Sequence, residues 1–142
     1  ALKIEPWLES SQKFWLGIDP LISEYNLEVA IENIFEDSPE NLAALMQSLK
    51  SDRIGLCFDT GHFNLFSKVP LKEWLQATGR YIKELHIHDN DSTSDAHLAP
   101  SKGTFDFEGL FEFLEENSIV PVYTVEAHTP EDVLEALRYF EV

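Results

Sequence analysis

Four short apolar runs in this chain each end on a side chain that can ligate a metal, and helix signals separate them. The runs read EVAIEN, ending on Glu32; IGLCFDTGH, carrying Asp59 and His62; ELHIHDND, carrying His86 and His88; and PVYTVEAH, carrying Glu126. Apolar runs this short, bounded by turn residues, read as buried strands. A strand that delivers one carboxylate or imidazole at its C-terminal end, repeated with helices between, is how a (β/α) barrel assembles its active site. Three carboxylates and an imidazole converging there suit a divalent cation. Mixed oxygen and nitrogen donors leave Mn, Zn, Mg and Co all open.

The intervening segments carry start signals for helices. Ser38-Pro39-Glu40 reads as an N-cap, a proline at the first helical position and an early acid. Leu42, Leu45, Met46 and Leu49 then follow at one-face spacing. Thr129-Pro130-Glu131-Asp132 repeats that signal before Val133, Leu134, Leu137 and Phe140. Helices are also expected from Pro70 to Thr78, burying Leu71, Trp74 and Leu75, and from Phe107 to Asn117, burying Leu110, Phe111 and Leu114. The leading segment, residues 2 to 25, reads as helical as well, with Pro20 expected to kink or divide it. The predicted order is a helix followed by four β-α units. This is an α/β chain with a parallel sheet and right-handed crossovers.

A complete eight-stranded barrel takes roughly 200 to 250 residues, and this chain has 142. It reads as one domain, residues 1–142, of the TIM-barrel type, with four strands that amount to a half-barrel. Four parallel strands leave two open edges and an inner face without its opposite wall. Three outcomes fit: the C-terminal part of a longer protein, a barrel closed by a second copy, or an open three-layer sheet. Self-association, most simply as a dimer, is the expectation.

The formal net charge is −16, from 26 acidic and 10 basic side chains. Nucleic-acid binding through phosphates needs a basic surface, so the overall sign argues against it. No apolar run reaches membrane-spanning length, the N-terminus lacks a signal-peptide pattern, and the single cysteine, Cys57, sits inside an apolar run as a buried thiol. These features favour a cytoplasmic location and no membrane partner.

Each candidate ligand has an ordinary alternative. Glu32 suits a solvated strand end, and Asp59 suits the cap of the turn made with Thr60 and Gly61. His62 suits a polar loop residue. His86 and His88 share one strand face, opposite Leu85 and Ile87, and one of them suits a core histidine bonded to a backbone carbonyl. Glu126 suits a lysine partner, and Lys102 an exposed surface position. Four strands ending this way together favour the metal site.

These motifs, AIEN, CFDTGH, HIHDND, the DAHLAPSKGTFDF loop and TVEAH, in this order, resemble the C-terminal half of the xylose isomerase-like TIM-barrel superfamily. That group includes sugar isomerases, the tagatose and psicose epimerases, and the endonuclease IV type of abasic-site nuclease. The resemblance covers about residues 20 to 140. It implies that Glu32, Asp59, His86 and Glu126 end the fifth to eighth strands and hold one divalent cation, with the two glutamates also moving protons. It implies that His62 touches substrate, or in the nuclease branch binds a further zinc with Asp95 and His97. Two features depart from the family. The N-terminal half of the barrel is absent, and a loop that commonly reads PPGxG has Ser101 in place of its first glycine.

The residue types fit isomerisation or epimerisation of a sugar or sugar phosphate. Such a reaction removes a weakly acidic C–H proton, and the resulting enediolate is stabilised by a divalent cation on the carbonyl and hydroxyl oxygens. Glu32 and Glu126, at different points of the rim, are the expected proton-transfer pair. Asp59 and His86 complete the metal set. His62, His88, Asp95, His97 and Lys102 are the expected contacts to a carbohydrate substrate, Lys102 through a phosphate. Two alternatives stand beside this reading. One is metal-assisted phosphodiester hydrolysis using His62, Asp95 and His97 in addition. The other is a non-catalytic half-barrel that serves assembly.

Overall fold

The leading apolar positions wind into a single helix, α1 (Ile4–Glu24), and Pro20 lies inside it without dividing it. Proline removes one amide and displaces the carbonyl four residues earlier. Pro20 and Leu16 both lie on the exposed side of α1, so water meets the freed carbonyl. The chain is described by a computed structural model over residues 4–141. After α1 the order is β1 (Val29–Glu32), α2 (Glu40–Leu49), β2 (Ile54–Asp59), α3 (Thr60–Phe66), α4 (Leu71–Thr78), a 3-10 turn (Gly79–Tyr81), β3 (Ile82–Ile87), α5 (Phe107–Glu116), β4 (Val122–Val125) and α6 (Pro130–Tyr139).

The four strands form one sheet in the order β1-β2-β3-β4, and every neighbouring pair is parallel. Consecutive order with right-handed crossovers sends each connecting helix to the same face. A three-layer sheet needs helices on both faces, so that expectation is overturned. The chain forms an arc of a barrel, with helices outside and a polar inner face.

The outer face holds the core. Ile54, Leu56 and Phe58 of β2 and Leu85 and Ile87 of β3 pack against Leu42, Leu45, Met46 and Leu49 of α2, Trp74 and Leu75 of α4, and Leu110 and Leu114 of α5. Phe58 anchors an aromatic group with Phe63 at 5.5 Å, Trp74 at 6.4 Å and Phe105 at 6.3 Å between ring centroids. All six residues of β2 are buried, the inner-facing ones included. Part of this cover comes from Lys83. Its stem crosses Gly55, where a Cβ would lie 2.7 Å from Lys83 Cδ, and its ammonium reaches Glu28 at 2.9 Å.

Local differences from the sequence reading have local causes. Pro39, not Ser38, precedes α2, and no side chain caps it. Thr129 does cap α6, accepting the amide of Asp132 at 3.1 Å, with Pro130 as the first helical residue. Leu134 and Leu137 are nonetheless exposed, and Ala136 is the fully buried position of α6. The helix lies at the β4 edge, and among the described residues no further unit stands beyond it, so its Ala136 side is what meets the body of the protein. Among the described residues, no helix is long and apolar enough to cross a membrane.

Candidate metal centre

Parallel register brings the strand ends level. Asp59, the last residue of β2, pairs with His86 of β3, Glu32 ends β1, and Glu126 follows β4 with its amide donating to the carbonyl of Ile87 at 3.1 Å. The His86 Nδ1 atom lies 3.7 Å from Glu32 Oε1, 3.7 Å from Asp59 Oδ2 and 3.2 Å from Glu126 Oε1. It is buried, and none of these oxygens meets it in hydrogen-bonding geometry. Ligand atoms of Glu32, Asp59 and His86 all lie within 4.8 Å of one another. An orphaned imidazole nitrogen facing three carboxylates is a donor set that fits a divalent cation.

The electrostatics point the same way. Burial, then the neighbouring charge of Asp59, raises the Glu32 carboxyl above its usual range, with Glu126 adding to the effect and His86 and His62 opposing it. A cation between these groups would relieve the crowding.

Asp59 serves structure and site at once, and both of its oxygens meet His88. Oδ1 accepts the His62 amide at 2.7 Å, capping α3, and contacts His88 Nε2 at 3.0 Å. Oδ2 also contacts His88 Nε2, at 3.2 Å, and faces His86 at 3.7 Å and His62 Nδ1 at 3.5 Å. The capping alternative and the site position are therefore compatible in one residue. Buried Asn33, one residue past β1, clamps this corner. It accepts the Asp59 amide at 2.9 Å and donates to the Asp59 carbonyl at 3.1 Å. His62, in the first turn of α3, places Nδ1 3.1 Å from Glu32 Oε1.

His88 lies one residue beyond β3 and is wholly buried. The Thr60 hydroxyl donates to the His88 carbonyl at 2.6 Å and accepts its amide at 3.1 Å. The ring stacks on His97 at 3.7 Å, and His97 stacks in turn on His128 at 3.8 Å. His97 Nδ1 donates to the Glu126 carbonyl at 2.6 Å, which leaves Nε2 facing Asp95 Oδ2 at 3.3 Å. The same Asp95 oxygen is 3.6 Å from His62 Nε2. His62, Asp95 and His97 thus form a second polar cluster beside the first. Lys102 stands apart, paired with Glu135 of α6 at 2.8 Å.

The loop before α5 is held by Asp89, which is fully buried and accepts the amides of Asn90, Gly103 and Phe105. Ser101 has φ 69 there, a left-handed conformation that glycine adopts without cost. Sequence reasoning passed over Asn33, Glu84, Asp89 and His128. A signal existed for Glu84, since it lies two residues before His86 and so shares its strand face. Cys57 lies in that same inner row and is buried. Burial, then the charges of Glu84, Glu32 and Asp59, push its thiol far above the usual range.

The Asp59–His88 pair sets an expected pH profile. Burial alone would raise Asp59, but the His88 hydrogen bond and charge and the His62 amide outweigh it, and the net shift is downward. Burial alone would lower His88, but Asp59 outweighs it, and the net shift is upward. A depressed carboxyl adds stability above its unfolded value of about 3.9, lost as pH falls through the folded value. A raised imidazole adds stability below about 6.5, lost as pH rises through its folded value. The metal-free chain is expected to gain most from this pair between about pH 4 and 6.5. Urea unfolding across pH checks it: His88→Gln should remove the decline on the alkaline side, and an unchanged profile contradicts the pairing.

Over residues 9–141 the sequence matches the family described as xylose isomerase-like TIM barrel. The chain belongs to that family. Two curated relatives are uncharacterized proteins. That of Sinorhizobium fredii is 33% identical over 91 residues, covering 61% of this chain and 29% of its own length. That of Methanocaldococcus jannaschii is 27% identical, covering 82% of this chain and 42% of its own length. This xylose isomerase-like chain therefore spans less than half the length of either. The crystal structure of a D-tagatose 3-epimerase-like protein superposes with a TM-score of 0.80 at 25% identity, over 94% of this chain and 53% of that one.

Proposed function

We propose that this half-barrel carries the metal-binding and proton-transfer residues of a sugar or sugar-phosphate isomerase or epimerase. The observation that carries the reading is the unpartnered His86 Nδ1 facing Glu32, Asp59 and Glu126. Similarity to a D-tagatose 3-epimerase-like protein supports a carbohydrate as the substrate. Glu32, Asp59, His86 and Glu126 would hold the cation. When bound, a divalent cation polarises substrate oxygens and stabilises the negative charge that develops as a C–H proton leaves.

The chain's own residues supply the proton chemistry. Glu32 and Glu126 approach from the first and last strands, so a substrate lying between them meets a carboxylate on either side. One takes the proton from carbon and the other returns a proton to the opposite face or to the adjacent carbon. The upward shift of Glu32 suits a base that must also hold a proton during turnover. His62 Nδ1 meets the Asn33 carbonyl at 3.1 Å, which leaves Nε2, facing Asp95, placed to bind a substrate hydroxyl. The half-barrel by itself is expected to turn over weakly or not at all, so incubation of the full-length parent protein with Mn(II) and a panel of ketoses and their phosphates in D₂O tests the reading. Solvent deuterium is expected at a substrate carbon, and its absence across the panel contradicts it.

Abasic-site phosphodiester hydrolysis is the second reading, favoured by the His62–Asp95–His97 cluster. The net charge of −16 opposes DNA as a substrate. Cleavage of an abasic duplex without deuterium exchange would reverse the preference.

Assembly belongs to the same proposal. Val122 and Tyr123 on the β4 edge, and Leu27 and Phe35 flanking β1, are all at least half exposed. Edges of this kind call for a partner that continues the sheet. The isolated chain is expected to associate two-fold through them. Light scattering after size exclusion at low micromolar concentration checks this, and a stable species at 16.3 kDa would contradict it.

A further inference from the structure

The inner face of the sheet carries a second polar row beneath the strand-end carboxylates. Register pairs Cys57 with Glu84 just as it pairs Asp59 with His86, so Glu84 and His86 leave β3 on the same face. The two ring nitrogens of His86 consequently meet different surroundings. Nδ1 faces Glu32, Asp59 and Glu126, whereas Nε2 lies 3.7 Å from Glu84 Oε1. That Glu84 oxygen accepts a hydrogen bond from the Thr124 hydroxyl at 2.6 Å, and Thr124 is the register partner of His86 on β4. The adjacent strand therefore holds the carboxylate beside the ring.

A neutral imidazole has one N–H and one lone pair, and only the lone pair can ligate. For Nδ1 to offer its lone pair, the proton must sit on Nε2. At 3.7 Å the Glu84 contact is longer than a hydrogen bond, and the soft terminal carboxylate torsion would let an oxygen move toward the ring. Buried Cys57 is the third member of this group. A protonated thiol competes poorly for the imidazole N–H, which leaves the carboxylate as the acceptor.

We propose that Glu84 is a positioning residue, which accepts a hydrogen bond from His86 Nε2–H and thereby keeps the Nδ1 lone pair directed at the cation. Glu84 touches neither substrate nor metal in this role. The proposal rests on the metal-centre reading. It adds a requirement, since metal-ligating histidines generally need an acceptor on their other nitrogen and lose affinity without it.

The test uses the 142-residue chain labelled with ¹⁵N-histidine, its Glu84→Ala, Glu84→Gln and Thr124→Val variants, and zinc as the probe. Two-bond ¹H–¹⁵N spectra of the metal-free protein, at a pH where His86 is neutral, report the tautomer. The wild type is expected to show the Nε2–H form, with Glu84→Ala redistributing it. Calorimetric zinc titration is expected to show a loss of about 10- to 100-fold for Glu84→Ala. Glu84→Gln should recover most of that loss through its amide oxygen, and Thr124→Val should fall between. A purely structural Glu84 would lower melting temperatures without moving the tautomer, and that result overturns the proposal. An Nδ1–H wild type, or equal zinc affinity in wild type and Glu84→Ala, overturns it as well. If zinc fails to bind the wild type, the metal-centre reading falls by itself, and the metal-free spectra decide whether Glu84 holds the tautomer.

Discussion

Asp59→Asn is expected to reduce divalent-cation affinity by more than about 100-fold while the chain keeps its fold. Losing an outer partner of a ligand already costs about 10- to 100-fold, and Asp59 is proposed as a ligand itself. The fold should survive because Oδ1 alone carries the cap and the shorter of the two His88 contacts. Oδ1 caps α3 by accepting the His62 amide at 2.7 Å. Asparagine is as good an N-cap as aspartate, so its carbonyl preserves that bond. What disappears is the negative charge of Oδ2, which faces His86 Nδ1 at 3.7 Å. His86→Ala is expected to give a similar loss by removing the nitrogen. Calorimetry with Mn(II) or Zn(II), and the metal content of protein purified without chelator, are the measurements. Equal metal content in wild type and both variants would sink the metal centre, provided circular dichroism shows all three folded.

Gly61→Ala is expected to destabilise the chain by about 3 kcal/mol, the upper part of the usual range for overpacking. Helix propensity alone predicts the opposite sign, because alanine is favoured over glycine by about 1 kcal/mol inside a helix, and Gly61 lies in α3. Space decides the contest. A Cβ at this position would sit 2.0 Å from His88 Cε1 and 2.3 Å from Nδ1. The ring is held against moving, since His97 stacks on it at 3.7 Å and Asp59 holds Nε2 at 3.0 Å. Urea unfolding of Gly61→Ala, alone and in a His88→Ala background, separates the terms. The substitution should cost about 3 kcal/mol with the ring present and under about 1 kcal/mol without it. The same cost in both backgrounds would show that His88 is not what excludes the methyl group.

The elements most legible in the sequence were those with local causes. Thr129 and Pro130 start α6 because a hydroxyl caps the chain and a ring pre-sets φ at the first helical turn. The apolar runs ending at Glu32, Asp59 and Glu126 read as strands because they are short and flanked by turn residues. α3 escaped notice because its seven residues, TGHFNLF, carry a glycine in second place and show no repeating apolar face. Its start depends on Asp59, which counted among the ligands and whose second use as a cap showed only once the chain was folded. Leu134 and Leu137 illustrate the reverse case. Their spacing marks an apolar face, but a spacing does not say whether anything lies opposite it.

The sequence by itself determined the order of the strands and of every helix but α3, the α/β class and the set of carboxylates and imidazoles carried at the strand ends. These follow from periodicity and capping, which act over a few residues. Only the tertiary structure decided which atom of each group faces which neighbour. The pairing of Glu84 with Cys57 follows an irregularity in the β2–β3 register between Leu56 and Cys57. The stacking of His88, His97 and His128 depends on a loop clasped by Asp89. The turning of Lys102 toward α6 depends on Glu135. In each case the partners are distant in the chain, and their meeting is set by sheet register and helix packing, which no local pattern encodes.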